Sequence, residues 1–142
     1  MTIYESDLKT ISSGEEVVFA ILSDLTNLKK FQDNAPQTDK VKDIQFDSDS
    51  CSFVVEGFGK MGFRIIERTP YHSIKLDSEN APVHIRVNIQ LKQVAENSTE
   101  MKLVLNAELP MMIKMMVDKK LKEGVNMVAD VLAKALSKTP NL

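Results

Sequence analysis

The sequence has a single cysteine, Cys51, so no disulfide can form within the chain. It has no basic excess either: 18 lysines and arginines stand against 20 aspartates and glutamates, a net charge of −2. Proteins that hold nucleic acid through its phosphates present a basic face, so nucleic acid is not an expected partner. Long hydrophobic runs are missing as well. The longest fall far short of the roughly 20 residues that cross a bilayer, and the opening MTIYESDLK has no apolar stretch of the kind a secretory signal carries. The expectation is a cytoplasmic protein that does not span a membrane. Asn97-Ser98-Thr99 spells a glycosylation acceptor, but without a secretory signal it reads as a turn.

Signatures of chemistry are scarce too. There is no G-x-S-x-G elbow, and nothing marks a serine–histidine–acid set. The two histidines, His72 and His84, have no ligand-like spacing with Cys51. Asp47-x-Asp49 begins like a calcium loop, yet Ser52 stands where the loop needs glycine and Phe58 where it needs a bidentate glutamate. Cys51 has no basic neighbour in sequence to lower its pKa, which favours an inert thiol over a nucleophile. Gly57-Phe58-Gly59-Lys60-Met61-Gly62 spells G-x-G-x-x-G. A dinucleotide site needs a helix after those glycines, so that backbone N–H groups meet the pyrophosphate. Here MGFRIIERTP follows and reads as a strand, so the glycines are expected to permit a tight hairpin. No metal, no cofactor and no catalytic residues are expected.

What is present is an ordinary globular composition, 43% hydrophobic and 27% charged over 142 residues, enough for one domain spanning 1–142 with its own core. From Pro110 to Ser137, the apolar residues Ile113, Val117, Leu121, Val128, Val131, Leu132 and Ala135 recur at three- and four-residue steps. That spacing predicts one long helix with a buried face. Pro110 suits a first helical position, and Pro140 lies just beyond the end.

The residues before it read mainly as strands. Residues 2–11 are a first strand. Ser12-Ser13-Gly14-Glu15-Glu16 supplies capping residues for a short helix carrying Val17, Val18, Phe19, Ile21 and Leu22. A second short helix starts at Asp24 or Thr26, and the breakers of residues 33–39 end it. Strand-like segments follow: Val41 to Phe46, CSFVVEGF, Met61–Arg68, and Ile74 with Leu76 beyond a corner at Pro70-Tyr71-His72. The clearest alternation comes last. Val83, Ile85, Val87, Ile89 and Leu91 share one face, and Met101, Leu103, Leu105, Ala107 and Leu109 repeat the pattern. These two strands are expected to pair antiparallel with their odd-numbered residues inward, leaving His84, Arg86 and Asn88 outside.

The order is one strand, two short helices, about six more strands and a long helix. With it come Ile11-Ser12-Ser13-Gly14-Glu15-Glu16-Val17-Val18-Phe19, then Leu22-Ser23-Asp24, Asn27-Leu28 and Phe31, and Glu67 followed by Pro70. As an ordered set these resemble the START-related SRPBCC superfamily, which includes polyketide cyclases and birch-pollen-allergen-like proteins. The resemblance spans nearly the whole chain. Ser13-Gly14 stand where Ala-Pro is common in the family, and Phe31 where Trp is frequent. It implies an α+β helix-grip fold: a curved antiparallel sheet of about seven strands wrapped around the long C-terminal helix, with two short helices after the first strand.

The resemblance also implies that part of the space between sheet and helix is open and takes a small hydrophobic or amphipathic molecule. The expected ligand-contacting set is Phe53, Val55, Phe63, Ile65, Leu76, Val87, Met112, Ile113, Met116, Val117 and Leu121, most of which must also serve as core. Tyr4, Arg64, Glu67, Tyr71 and His72 are the candidate polar groups. Convergence of several of these in the cavity would favour a cyclase- or aromatase-like enzyme working by proton transfer, and a filled core would favour a ligand-free interaction module. Met111, Met112, Met115 and Met116 cannot all enter one helical stripe. Met116 is expected to border the buried side and Met111 and Met115 to point away. A cavity mouth, a contact in a homodimer, and packing under a loop all fit them. Gly124, within the apolar stripe, lets a strand or ligand come close or bends the helix.

Overall fold

The computed structural model describes residues 2–34, 41–56, 59–81 and 83–137. The elements are β1 (Thr2–Glu5), β2 (Lys9–Ile11), α1 (Glu15–Leu22), a 3-10 helix (Leu25–Asn34), β3 (Val41–Phe46), β4 (Ser50–Val55), β5 (Gly59–Thr69), β6 (Ser73–Glu79), β7 (Ile85–Ala95), β8 (Ser98–Ala107) and α2 (Met111–Ser137). The strands form one eight-stranded sheet in the order β1-β8-β7-β6-β5-β4-β3, with β2 also paired to β8. Every pairing is antiparallel. This is the expected helix-grip arrangement. Most of the breaker stretch of residues 33–39, together with Gly57, Phe58 and Pro140, falls outside the described residues.

The strand alternation sets the register where it is strongest. Ile85 pairs Ala107, Val87 pairs Leu105, Ile89 pairs Leu103 and Leu91 pairs Met101, all odd-numbered and on one face. Arg86 and Gln90 face solvent from the other side, and Asn88 is half-buried there. The strands on either side of the glycine-rich run pair with each other: Val55 pairs Gly59, whose φ of 88° suits glycine, and β5 follows with no helix. The nucleotide reading fails on that context.

Several local expectations are corrected. Residues 2–11 form two strands, because Ser6 interrupts them: its N–H donates to the Leu103 carbonyl and its hydroxyl accepts from the Leu103 N–H, both at 2.9 Å. The cap of α1 is Gly14, which has no side chain to offer, and the first helical N–H, that of Glu15, donates to Gln93 Oε1 at 2.8 Å. Ser13 instead donates its hydroxyl to the Leu136 carbonyl at 3.1 Å, while its own carbonyl accepts from Thr99 Oγ1 at 2.7 Å. Both Ser13 and Thr99 are buried, so this chain of bonds ties the start of α1 and the end of α2 to β8.

The long helix lies along the β1–β2 edge. The N–H of Asp7 donates to Asn126 Oδ1 at 2.8 Å, Lys9 lies 3.8 Å from Asp130, and the N–H of Ser12 donates to Ser137 Oγ at 3.0 Å. The residues that seat α2 most deeply are Val125, Ala129, Ala133 and Leu136, with Ala135. Small side chains let the helix come close to the edge strands. The helix is therefore rolled about its axis relative to the expected buried stripe. Val128, expected in the core, is 51% exposed.

This roll divides the inner face of the sheet. At one end α1 and the second half of α2 cover it, burying Ile11, Val18, Leu22, Ile74, Ile89, Leu91, Met101 and Leu103 in a continuous cluster. Burying such side chains stabilises by about 1.5–3 kcal/mol each. At the other end the cover stops. No residue of α2 before Val125 is buried.

Candidate functional site

The uncovered part of the inner face is apolar, and the space between it and the first half of α2 is the candidate cleft. Its floor comes from β4, β5, β7 and β8. Phe53, Phe63, Val87 and Leu105 are only half-buried, and Ile65 and Leu76 lie buried beside them. Register places these on one face: Cys51 pairs Phe63, Ile65 pairs Leu76, Leu76 pairs Val87, and Val87 pairs Leu105. The Phe53 and Phe63 rings stack with centroids 6.2 Å apart and planes 27° off parallel. Such a pair holds its own geometry while leaving a face free for another apolar surface.

The wall comes from α2. Asn126, Asp130 and Ser137 bond Asp7, Lys9 and Ser12, along the β1–β2 edge, from one flank of the helix, so the opposite flank is turned away from that edge. At about 100° per residue, that opposite flank carries Ile113, Val117, Leu121, Gly124, Val128 and Val131. Ile113, Val117 and Leu121 are half-buried, and Leu121 packs on the core cluster at the cleft's inner end. A Cβ built on Gly124 meets no described atom within 4 Å. No strand presses on this glycine, and its side of the helix opens onto free space.

One polar contact borders the cleft. Tyr4, 2% exposed, donates its hydroxyl to Asp118 Oδ1 at 2.6 Å. Burial first, and then the hydrogen bond to Asp118 and its negative charge, push the Tyr4 phenol up to about 12. Tyr4 therefore stays a neutral donor. Asp118 was not legible as a site residue in the sequence. Its spacing to Lys122 reads as a surface i,i+4 pair, and that contact does exist at 4.0 Å.

The other candidate polar groups do not converge on the cleft. Arg64, Glu67, Tyr71 and His72 are all exposed. Arg64 pairs Glu79 at 3.1 Å, Glu67 pairs Lys75 at 3.1 Å, and Tyr71 sets its ring edge-on to Phe19 at 5.8 Å. Burial pushes the Cys51 thiol up, which makes it a poorer nucleophile at neutral pH. Among the described residues no cluster of histidine, cysteine or acidic side chains could hold a metal ion.

Of the other expected contact residues, Met112 and Met116 are 80% and 74% exposed and sit on the flank of α2 away from the cleft. The side chain of Val55 falls outside the described residues. Two surface grooves lie elsewhere. One of about 370 Å³, at the filled end, is lined by Lys9, Thr10, Asp130, Ala133, Lys134 and Ser137. The other, of about 270 Å³, is lined by Lys29, Ile44, Gln45 and Phe46. Neither is lined by the inner-face residues Phe53, Phe63, Val87 or Leu105.

No family model matches the sequence, and no curated protein matches it. Solved structures do resemble the fold. Norcoclaurine synthase from Thalictrum flavum, in complex with dopamine and hydroxybenzaldehyde, aligns with a TM-score of 0.73 at 12% identity, covering 97% of this chain and 87% of that one. A START superfamily protein from Mycobacterium smegmatis aligns at 0.63 and 12% identity, over 96% and 97% of the two chains. An HSP90 activator from Plasmodium falciparum aligns at 0.52 and 20% identity, over 75% and 73%. The fold is START/SRPBCC-like. At these identities the likeness carries architecture and leaves the chemistry to the site.

Proposed function

We propose that the protein binds a small hydrophobic or amphipathic molecule in the cleft between the sheet and the first half of α2, and holds it without reacting with it. The observation that carries this reading is the unfilled side of Gly124, facing the same way as the exposed Val128 and the half-buried Ile113 and Val117. Apolar surface left facing open space gains free energy when a ligand covers it, at about 25 cal/mol per Å² before the cost of association. Phe53, Phe63, Val87, Leu105, Val117 and Leu121 supply the contact surface. Tyr4 and Asp118 stand at its border, where a polar end of an amphipathic ligand finds Asp118 part-exposed, with its side chain 39% accessible.

A cyclase- or aromatase-like reaction requires a proton donor or acceptor within reach of the substrate. Arg64, Glu67, Tyr71 and His72 point to solvent, and the Tyr4 hydroxyl is already committed to Asp118. That distribution favours binding over catalysis. Native mass spectrometry of the purified protein tests the reading. The expected spectrum contains a species heavier than the chain that collapses to the chain mass in organic solvent, releasing an apolar molecule. A bare chain mass, from protein that also takes up no added fatty acid or sterol, supports the ligand-free interaction module instead.

A further inference from the structure

The first turns of α2 overhang the sheet. The last anchor of the helix on β1 is Asp118, bonded to Tyr4, and every residue from Met111 to Met116 except Ile113 is exposed. Met111, Met112, Met115 and Met116 are 78%, 80%, 80% and 74% exposed. They occupy the flank that, two turns further on, seats against the edge strands; here no strand remains to cover them. Four large apolar side chains left bare on adjacent turns form a patch that single exposed residues do not.

The charge around the patch is the second observation. Lys114, Lys119, Lys120 and Lys122 lie in the same segment, with Asp118 the only acid between Glu108 and Glu123, in a chain whose net charge is −2. Lys114, Lys119 and Lys120 have no carboxylate within ion-pair distance among the described residues, and all four lysines are exposed. An apolar patch with free ammonium groups in the same segment suits an anionic bilayer: the thioether chains enter the headgroup–acyl boundary and the lysines meet lipid phosphates and carboxylates. A second copy of this chain fits less well, because pairing two such ends brings lysine against lysine.

We infer that the overhanging start of α2 docks on anionic membrane surfaces, with the four methionines in the interface and the lysines on the headgroups. No described helix is long and apolar enough to cross a bilayer, so the contact is peripheral. Docking stands independently of what the cleft holds. If the cleft does carry a ligand, Ile113 and Val117 on the other flank of the same turns set its mouth beside the lipid.

The test is co-sedimentation with vesicles of phosphatidylcholine alone and of phosphatidylcholine with phosphatidylserine. Three proteins are compared: wild type, the quadruple variant with Met111, Met112, Met115 and Met116 each changed to Gln, and the triple variant Lys114→Glu, Lys119→Glu, Lys120→Glu. All the changed residues are exposed, so unchanged melting curves are expected to verify folding. Wild type is expected to sediment with the anionic vesicles and not the neutral ones, and each variant to lose more than about tenfold in partitioning. Absence of wild-type sedimentation overturns the inference, as does equal partitioning of the methionine variant. Sedimentation velocity covers the remaining occupant: a wild-type dimer that the methionine variant abolishes, without vesicle binding, assigns the patch to a second copy and overturns the membrane assignment.

Discussion

The Tyr4 hydroxyl donates a 2.6 Å hydrogen bond to Asp118, joining β1 to α2 across 114 residues of sequence. Beyond this contact toward its start, the helix leaves the sheet edge. The pair therefore marks where the helix stops being core and starts being cleft wall and overhang.

Tyr4→Phe removes that bond and leaves Asp118 to water, which reaches it. The expected cost is about 1 kcal/mol, the net worth of a hydrogen bond whose acceptor can be resolvated. The pH dependence is the sharper readout. The phenol is held neutral in the folded protein, with its pKa raised to about 12, so its contribution is fully present below its ordinary pKa near 10 and fades as pH rises toward 12. Urea titrations of wild type are expected to show stability falling across that window, and Tyr4→Phe to flatten this part of the fall. Parallel wild-type and variant curves would show that the phenol is not held this way.

Gly62 is a glycine of the sequence motif that packing requires. A Cβ there would sit 2.3 Å from the Cys51 carbonyl oxygen, a backbone atom that cannot step aside without opening the β4–β5 pairing. Gly62→Ala is expected to cost about 3 kcal/mol by chemical denaturation, in the range of overpacked sites. A loss under about 0.5 kcal/mol, the size of an ordinary surface change, would mean that the strands part easily.

How far the sequence reached depended on periodicity. Alternation of period two from Ile85 to Leu91 and Met101 to Ala107 determined which face each residue takes, because a slip by one would turn Arg86 inward. The long helix was legible for the same reason at period 3.6. Its roll was not. Hydrophobic pattern ranks side chains by polarity, whereas the close approach to β1 and β2 selects for small size, so Ala129 and Ala133 took the seat and Val128 was left to the open side. Polar site candidates on β5 were illegible for another reason. The register shifts between Ile65 and Glu67, and an extra residue there reverses the parity from which facing would be inferred.

The proposed ligand site is the space beside Gly124. Titration of an apolar fluorescent probe into wild type and Gly124→Leu tests it most directly, because the substitution fills that space without a folding penalty. Leucine is a better helix former than glycine by up to about 1 kcal/mol, and the added side chain meets nothing at its Cβ. Saturable probe binding is expected for wild type. For Gly124→Leu an unchanged or higher melting temperature is expected, with binding weakened at least about tenfold, about 1.4 kcal/mol. Equal binding by the folded variant, or no saturable binding by wild type, would contradict it.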